Sequence, residues 1–456
     1  MRARLALVLA ASFGLAACQG DEISPTDTSN SMSATAQENL LSLVSQPALN
    51  AGQRDRLASI RGRSSTAEVH VARMASAPGR MLQHGAAVRV AVAPGVQVVA
   101  VGERVVNRAA EDISWAGPVR GAEGWVQMVF MDGGVTATVR VGNTSYAIEP
   151  IGGGLHAVSR IDQSGFPQEH TADNPSGALE DFGGNPLASR TLGIAPATTS
   201  SLAAATTINV LVAYTASAAT AAGTITSKIQ LAVDETNQSY VNSGVNINMV
   251  RVHSVQVTYN EANRSFTQHV TALKSTTDGL MDNVHTLRNT YAADMVILVV
   301  NDGEACGQAA GIGSTASTAF AAAHYTCITG YYSFGHELGH LQSARHDRFV
   351  DASTTPYPYG HGYIPPSKSW RTVMAYGNNC NNCTRIQYWS SPLKTHPGTG
   401  EVMGTAQYED NARVLNTTAA TVAAFREPDP RDAVMEARRA SSLSGPPFFV
   451  RSAFSG

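Results

Sequence analysis

Residues 335–347 read Gly-His-Glu-Leu-Gly-His-Leu-Gln-Ser-Ala-Arg-His-Asp, and this stretch decides the fold of the surrounding chain. His336 and His340 are four residues apart, so on an α-helix both imidazoles lie on one face and reach one metal ion. Glu337 follows the first histidine and is placed to accept a proton from a water beside the metal. His346 lies six residues after His340, so the chain must turn between them if all three histidines are to meet.

Three neutral imidazoles leave one tetrahedral position open, which is the arrangement of a catalytic rather than a structural zinc. We therefore predict one catalytic Zn²⁺ held by His336, His340 and His346. Glu337 is predicted as the general base of a peptide-hydrolysing enzyme. The alternative is a surface helix with unrelated histidines. His-Glu-x-x-His alone has moderate specificity, and the third histidine at this offset argues against that alternative.

The motif from His336 to Asp347 resembles the zinc motif of the metzincin metallopeptidases. The sequence Val-Met-Ala-Tyr at 373–376 resembles their Met-turn. The aspartate after the third histidine is similar to the adamalysin and reprolysin pattern. The resemblance is closest to the reprolysin-like bacterial group that includes peptidyl-Asp metalloendopeptidases, and it covers about 206–427. It implies a zinc-dependent endopeptidase with the fold of that family.

The resemblance also implies roles for three further residues, and the sequence departs from the family pattern at a fourth. Met374 would form a hydrophobic floor under the zinc ligands, and Asp347 would orient and support the turn after the third histidine. Tyr376 would donate to the developing oxyanion or only pack beneath the metal, and both interpretations stay open. Ser343 stands where the family usually has glycine at a left-handed helix end, and this difference should cost about 1 kcal/mol.

Cleavage on the amino side of acidic residues, Asp above all, is the specificity that the resemblance implies. An acidic P1′ side chain in a partly buried pocket needs a cationic partner, preferably an arginine that binds it through two hydrogen bonds. Arg385 follows the Met-turn and is the first candidate, with Lys394 second and Arg371 third. A solvated surface position is the commoner alternative for any single arginine. Without such a partner the pocket would favour apolar residues.

Residues 319–324 are predicted to form an edge strand that binds an extended substrate as an added strand. We interpret His324 within it as an ordinary strand residue. Nine other histidines lack a paired metal spacing and are interpreted as solvated or core residues: His70, His84, His156, His170, His253, His269, His285, His361 and His396. A calcium ion is compatible with such folds, but the sequence does not locate its ligands.

The pattern over 206–427 alternates between strands and helices, which predicts an α/β (α+β) metzincin-like catalytic domain with a mainly parallel twisted sheet and an active-site helix. Residues 38–163 contain short alternating runs and turn signals such as Asp132-Gly133, which predict a small antiparallel β propeptide-like domain. Residues 164–205 carry four prolines and no apolar period, so we predict a linker. Residues 428–456 are predicted as a C-terminal tail.

Residues 1–18 have the pattern of an export signal, because two arginines precede an apolar stretch too short to anchor stably in a bilayer. Leu-Ala-Ala-Cys at 15–18 resembles the bacterial lipobox, so we predict a lipoprotein lipidated at Cys18. The alternative is an ordinary signal with a chance cysteine. Residues 19–37 are predicted to be a flexible tether. We expect an exported protein in the bacterial cell envelope, at the outer membrane or surface, or released to the medium after processing.

Four cysteines remain if Cys18 carries lipid: Cys306, Cys327, Cys380 and Cys383. An even number in an exported protein predicts two disulfides, with three connectivities to choose from. We favour Cys306 with Cys327 and Cys380 with Cys383. The Cys-x-x-Cys pair is alternatively half of a zinc knuckle or a redox motif, but the sequence has no second such pair. Latency through a cysteine is excluded if Cys18 is lipidated, since no other cysteine precedes Cys306.

The charged fraction is 15% and the formal net charge is −3, and no basic patch with interleaved aromatics indicates a nucleic-acid partner. We expect protein or peptide substrates, membrane contact only through an N-terminal lipid anchor, and a monomer. The leading hypothesis is a zymogen whose propeptide is removed within 164–205. A non-catalytic zinc-containing surface binding lipoprotein is the main alternative, against which Glu337 argues. A non-proteolytic metallohydrolase such as an amidase is another, against which the Met-turn argues.

Overall fold

The computed structural model describes residues 38–171, 178–181 and 204–426. Cys18, the predicted tether and the predicted C-terminal tail lie outside these ranges. The described part has mixed α/β content and two large sheets. None of the helices within it combines the length and the apolar character needed to cross a bilayer.

The amino-terminal half contains ten strands and two helices: β1 Glu38–Leu43, α1 Ala51–Arg61, β2 Thr66–Met74, α2 Pro78–Met81, β3 Ala87–Ala93, β4 Val96–Val101, β5 Arg104–Ala109, β6 Asp112–Pro118, β7 Gly124–Met131, β8 Gly134–Val141, β9 Thr144–Gly152 and β10 Leu155–Ile161. The ten strands form one sheet in the order β4-β3-β1-β2-β10-β9-β8-β7-β6-β5. The neighbouring strands are antiparallel except β1 and β3. Asp132 and Gly133, with φ of 51° and 70°, form the tight turn between β7 and β8.

The second half contains the remaining elements: β11 Ala178–Asp181, β12 Thr206–Thr215, α3 Ala216–Ala222, α4 Ile225–Ser243, β13 Ile247–Val257, α5 Phe266–Lys274, α6 Asn283–Thr290, β14 Met295–Val300, β15 Gly307–Ile312, β16 Phe320–His324, α7 Ser333–Leu341, β17 Trp370–Arg371, β18 Thr384–Arg385, β19 Ser391–Thr395, β20 Val402–Met403 and α8 Asn411–Val422. Six strands form a sheet in the order β11-β15-β16-β14-β12-β13. Adjacent strands in this sheet are parallel, except that β15 and β16 are antiparallel. Every residue of β14 is buried, as expected for a central parallel strand covered on both faces.

The edge strand predicted at 319–324 is wrong, because β16 lies inside the sheet between β14 and β15. The sequence of β15, Gly-Gln-Ala-Ala-Gly-Ile, has one β-branched residue and two glycines, so it carries little strand signal of its own. On its other side β15 pairs with β11, with Ala178 opposite Ala309. Within the described residues β16 therefore has neighbours on both sides, and an extended peptide could pair with β15 only in the place of β11.

Two disulfides join Cys306 to Cys327 and Cys380 to Cys383, which is the connectivity that the sequence favours. Cys306 and Cys327 are fully buried and pack with Tyr331. Their bond closes a loop with a sequence separation of 21 residues. A loop of about this length contributes roughly 3 kcal/mol of stability in the chain-entropy model. The bond ties the start of β15 to the segment that leads into α7.

A buried ion cluster links the ten-stranded sheet to the second half of the chain. The Glu149 carboxylate on β9 lies 2.8 Å from Arg56 Nη2 and 3.8 Å from Lys228 Nζ on α4, and it also accepts from Arg63. Arg56 donates in addition to the backbone carbonyls of α3. Burial raises the pKa of Glu149, but Arg63, Lys228 and Arg56 together hold that pKa well below its usual value.

Replacing Glu149 by glutamine should lower the free energy of unfolding by about 3–5 kcal/mol, because three buried cations lose their anion. Urea unfolding of the full chain measures this, with Glu68→Gln as control. Glu68 is half exposed, and its variant should change stability by less than about 1 kcal/mol.

The lowered pKa also sets the pH dependence: the contribution of Glu149 is present above its unfolded pKa of about 4.5 and is lost as the pH falls below that value. The glutamine variant should lose this part of the acid sensitivity. Equal stability of wild type and Glu149→Gln at pH 7 would contradict the cluster's role.

Candidate metal centre

Helix α7 carries the first two predicted metal ligands and the predicted base. Its nine residues, Ser333–Leu341, are all buried, because the helix lies between the parallel sheet and the segment around residues 370–390. The Nε2 atoms of His336 and His340 are 3.2 Å apart. The spacing of four residues therefore places both imidazoles on one face, as predicted.

The chain turns after α7 and brings the third histidine to the same point. Ser343 adopts φ of 74°, the left-handed conformation expected at this position. Arg345 then pairs with the segment at 360–362 through two backbone hydrogen bonds of 2.7 and 2.9 Å. As a result, His346 Nε2 lies 2.9 Å from His340 Nε2 and 3.2 Å from His336 Nε2.

A fourth histidine joins the three predicted ones. His170 Nε2 lies 3.2 Å from His336 Nε2 and 3.0 Å from His346 Nε2, and the ring is buried. The interpretation of His170 as an ordinary solvated or core residue is therefore wrong, because these four are the histidines that converge on one point. No motif spacing signals this residue, since it lies 166 positions before His336.

Backbone carbonyls fix the orientation of three of these rings. His336 Nδ1 donates to Val373 at 2.9 Å, and His340 Nδ1 donates to Ala344 at 2.9 Å. His170 Nδ1 lies 2.9 Å from the Gly307 carbonyl in the same way. These hydrogen bonds place the proton on Nδ1 and leave the Nε2 lone pair directed at the centre, which is the usual outer shell of a metal-binding histidine.

The four converging nitrogen atoms fit a tetrahedral cation. Zinc-to-nitrogen bonds of about 2.0–2.1 Å require the nitrogens to be about 3.3 Å apart. Five of the six spacings are 2.9–3.2 Å, close to that value, and all four atoms lie within 4.8 Å of one another. Burial lowers the pKa of His340 to about 4 and holds the pKa of each of the other three well below the usual value, so the rings stay neutral. Four neutral lone pairs facing each other need a cation between them, and zinc suits this donor set.

Glu337 lies beside the cluster and is buried. Burial raises the pKa of its carboxyl well above the usual value. Within the described chain Oε2 has no hydrogen-bond partner, and Oε1 lies 3.9 Å from His170 Nδ1. The glycine at the start of β15 leaves room for this group, since a Cβ at Gly307 would stand 2.4 Å from Glu337 Oε1. The Glu337 carboxyl group is thus held next to the point where the four histidine nitrogens converge, and it is not one of the converging groups.

The residues of the predicted Met-turn lie around the cluster. Met374 is fully buried, and its Sδ would be 3.4 Å from a Cβ at Gly339 in α7. The Tyr376 ring lies over His346, with 4.3 Å between ring centroids. Asp347 accepts from the Tyr376 backbone nitrogen at 2.9 Å and from that of Phe349 at 3.1 Å. Asp347 therefore links the turn after the third histidine to the Met-turn.

Two of the three predicted cationic candidates lie beside the cluster and hold one carboxylate, and we call the site of that carboxylate the arginine pocket. Arg371 and Arg385 are register partners in the pair β17 and β18, and both are buried. Arg385 Nη2 contacts Oε2 of Glu169, and Arg371 Nη2 is 3.2 Å from Oε1 of the same carboxylate. Tyr331 also donates to Oε1, at 2.7 Å. Arg385 is therefore not the solvated surface residue of the alternative interpretation.

The third cationic candidate lies elsewhere. Lys394 on β19 lines a different cavity, together with Gly244 and Arg413. His324, which we interpreted as an ordinary strand residue, is outside the cluster, and its Nδ1 lies 2.7 Å from Thr326 Oγ1.

Comparisons with known proteins place this arrangement among metallopeptidases. Residues 204–390 match the family model described as Reprolysin_5, Metallo-peptidase family M12. The chain is similar to Peptidyl-Asp metalloendopeptidase from Stenotrophomonas maltophilia, with 45% identity over 298 residues, which cover 64% of this chain and 68% of that one. The protein of the same name from Xanthomonas campestris pv. campestris is 44% identical over 294 residues, covering 64% and 67%. One from Pseudomonas fragi is 41% identical over 195 residues, covering 42% and 100%.

Proposed function

Because this chain belongs to the reprolysin-like metallopeptidases of family M12 and is a metalloendopeptidase, we propose that it cleaves peptide chains next to acidic residues with Glu337 as general base. The observation that carries the proposal is the buried cluster of histidines with a carboxylate beside it and a two-arginine pocket at its edge. The cluster supplies the hydrolytic centre, and the pocket supplies the selectivity.

His336, His340 and His346 are the residues that we propose as the ligands of the catalytic ion. A zinc ion bound there lowers the pKa of water and polarises the scissile carbonyl. The backbone hydrogen bonds from two of the rings, to Val373 and Ala344, hold them in the orientation that binding needs. Met374 forms the apolar floor under these rings.

Glu337 accepts the proton of the attacking water and then delivers it to the leaving nitrogen. Its position supports this role, because it is beside the point of convergence and keeps one oxygen without a hydrogen-bond partner among the described residues. A general base of this kind contributes about 10²–10⁴-fold to the rate. A purely structural metal site has no need of such a group, which argues against the alternative of a non-catalytic surface binding lipoprotein.

Tyr376 is proposed to stabilise the oxyanion that develops on the scissile carbonyl. Its ring is held against His346, and Asp347 fixes its backbone nitrogen. The alternative of a purely packing tyrosine predicts no effect of removing the hydroxyl alone. Asp347 acts through this hydrogen bond and is a positioning residue.

The pocket formed by Arg371 and Arg385 is proposed to bind the acidic side chain at P1′. Its two guanidinium groups already hold a carboxylate in the structure, that of Glu169. Charge-assisted hydrogen bonds to two arginines favour an acid over an apolar side chain of similar size by roughly 1.5–3 kcal/mol per bond. The relatives are named peptidyl-Asp metalloendopeptidases, which agrees with this choice.

The domain organisation and location follow the same proposal. Residues 38–163 would be a propeptide-like domain, removed by cleavage within 164–205, and residues 206–427 the protease. The chain would be exported, with Cys18 lipidated, as a monomer acting on proteins or peptides. A calcium ion has no assigned ligands in this proposal.

Hydrolysis of casein and of a peptide library by the zinc-loaded full chain tests the proposal, before and after limited trypsin treatment. Between residues 172 and 203, Arg190 is the one trypsin target. We expect hydrolysis that a chelator abolishes and added zinc restores. Asp and Glu at P1′ should exceed Leu and Phe by at least about tenfold. A preference for Leu or Phe would contradict the acidic pocket, and hydrolysis unaffected by chelation would contradict the metal-dependent mechanism.

A further inference from the structure

Residues 168–171 lie across the metal centre, although the sequence predicts the beginning of a linker there. We infer that this segment is autoinhibitory: His170 acts as a fourth metal ligand while Glu169 fills the arginine pocket. The inference rests on the proposed function, because it assigns to the segment the same ligand position and the same pocket that a substrate needs. The segment would keep the enzyme latent without a cysteine.

His170 occupies the position that a catalytic zinc keeps open. A catalytic site has three protein ligands and one exchangeable position, whereas a site with four protein ligands is closed. The His170 ring lies 4.9–5.5 Å from the rings of the other three histidines, measured between centroids. Its Nδ1 is held by the Gly307 carbonyl, so its Nε2 is directed at the same point as theirs. Water and a scissile carbonyl cannot occupy that position at the same time as this imidazole.

Glu169 closes the pocket in the same way. Its carboxylate contacts Arg371, Arg385 and the Tyr331 hydroxyl, and the side chain is buried. Arg385 also donates to the Tyr331 carbonyl at 3.0 Å, so it is fixed in place. Two buried guanidinium groups without an anion would be costly. An acidic residue of the chain itself therefore neutralises the pocket until an acidic substrate side chain replaces it.

The main chain of the segment covers the substrate-binding edge. The carbonyls of Gln168 and Glu169 accept from the backbone nitrogens of Cys306 and Gly307, at 2.8 and 3.3 Å. Farther along the chain, β11 pairs with the other end of β15. An extended peptide would need these same backbone groups for strand addition, and the segment and β11 already pair with them. The ligand position, the side-chain pocket and the strand edge are thus all taken by one stretch of this chain.

Contacts before the segment anchor it. Phe166 stacks on Tyr331 with 4.4 Å between ring centroids. Gln163 hydrogen-bonds to the backbone of Arg385 in both directions, at 2.7 and 3.1 Å. The segment is continuous with β10, so a cut between residues 171 and 204 would leave it covalently joined to the ten-stranded sheet and no longer to the second half of the chain. Departure of that sheet would then remove His170 and Glu169 together.

X-ray absorption of the zinc-loaded, uncut full chain tests the ligand assignment without any substitution. Four imidazole ligands are expected. A spectrum with three imidazoles and one oxygen ligand would overturn the inference. The result does not depend on peptide hydrolysis.

Binding of acetohydroxamate to the cobalt-loaded full chain, followed by visible absorption, tests whether the position is closed. Uncut wild type should bind this probe at least about tenfold more weakly than His170→Ala, because the probe must first displace the imidazole. Glu169→Gln should fall between the two. Gln168→Ala is the matched control, since its side chain is exposed, and it should behave as wild type. Equal affinity of wild type and His170→Ala would overturn the inference.

Peptide hydrolysis by cut and uncut chains separates this inference from the proposed function. One outcome is that the uncut chain has four imidazole ligands, while the cut chain has lost the segment and still hydrolyses no peptide. This outcome would support the ligand assignment and defeat the proposed function. Equal hydrolysis by uncut and cut chains at equal zinc content would defeat autoinhibition and leave the proposed function standing.

Discussion

Replacing Glu337 by glutamine should lower the rate of peptide hydrolysis by about 10²–10⁴-fold, with zinc content and folding close to wild type. Glutamine has nearly the same shape but cannot accept the proton of the attacking water. The carboxylate is not among the four converging nitrogen ligands, so its loss should leave metal binding intact. Within the described chain the Oε2 atom of Glu337 makes no hydrogen bond, so the substitution should change the free energy of unfolding little.

The measurement combines turnover after trypsin treatment with zinc analysis of the same sample, because the variant cannot be relied on to process itself. His340→Ala is the matched comparison on the same helix face, and it should lose zinc as well as activity. A Glu337→Gln protein with near-normal turnover would remove the assignment of the base. A Glu337→Gln protein without zinc would show that the residue acts mainly on the metal site.

The sequence was sufficient for the core of the site because local geometry determines it. A spacing of four residues on a helix brings His336 and His340 together whatever surrounds them. The turn at Ser343, with φ of 74°, is likewise local, since the chain must turn between His340 and His346 for the two rings to meet. Each of these features depends on fewer than a dozen consecutive residues, which is the range over which sequence patterns are informative.

The features that were missed depend on contacts between distant parts of the chain. His170 reaches the cluster from 166 residues away, and Glu169 meets Arg385 across 216 residues. No spacing rule connects such pairs. The only local signal at 168–171 is a charged residue followed by a histidine in a region of prolines and glycines, which is the pattern of a linker.

Helix α5 and strand β15 are among the elements that the sequence pattern does not predict, and the reasons differ. Helix α5 had a signal that could have been used, because Ser265 and Gln268 form a capping box at its start. Strand β15 had none, since its glycines and alanines have low strand propensity and it is stabilised by pairing with β16 and β11. Because the sequence does not predict β15, it places the neighbouring strand β16 at the edge of the sheet.

Replacing Arg385 by alanine should lower kcat/KM for a peptide with Asp at P1′ by about 10- to 100-fold, while a peptide with Leu there changes little. Arg385 and Arg371 are paired in register, so both guanidinium groups reach one carboxylate, as they do for Glu169. Removal of one arginine leaves a single charged donor and a less favourable pocket. The preference for acid should therefore weaken without changing the hydrolytic step.

Arg385→Lys is a more specific test than Arg385→Ala, because lysine keeps the positive charge and loses the planar pair of donors. Arg385→Lys should retain part of the Asp preference, and Lys394→Ala should leave it unchanged because Lys394 lines a different cavity. Zinc content and thermal stability of each variant must match wild type for the comparison to count, since Arg385 also holds the Tyr331 carbonyl. An Asp preference that survives unchanged in both Arg385→Ala and Arg371→Ala would show that acidic side chains bind somewhere other than this pocket.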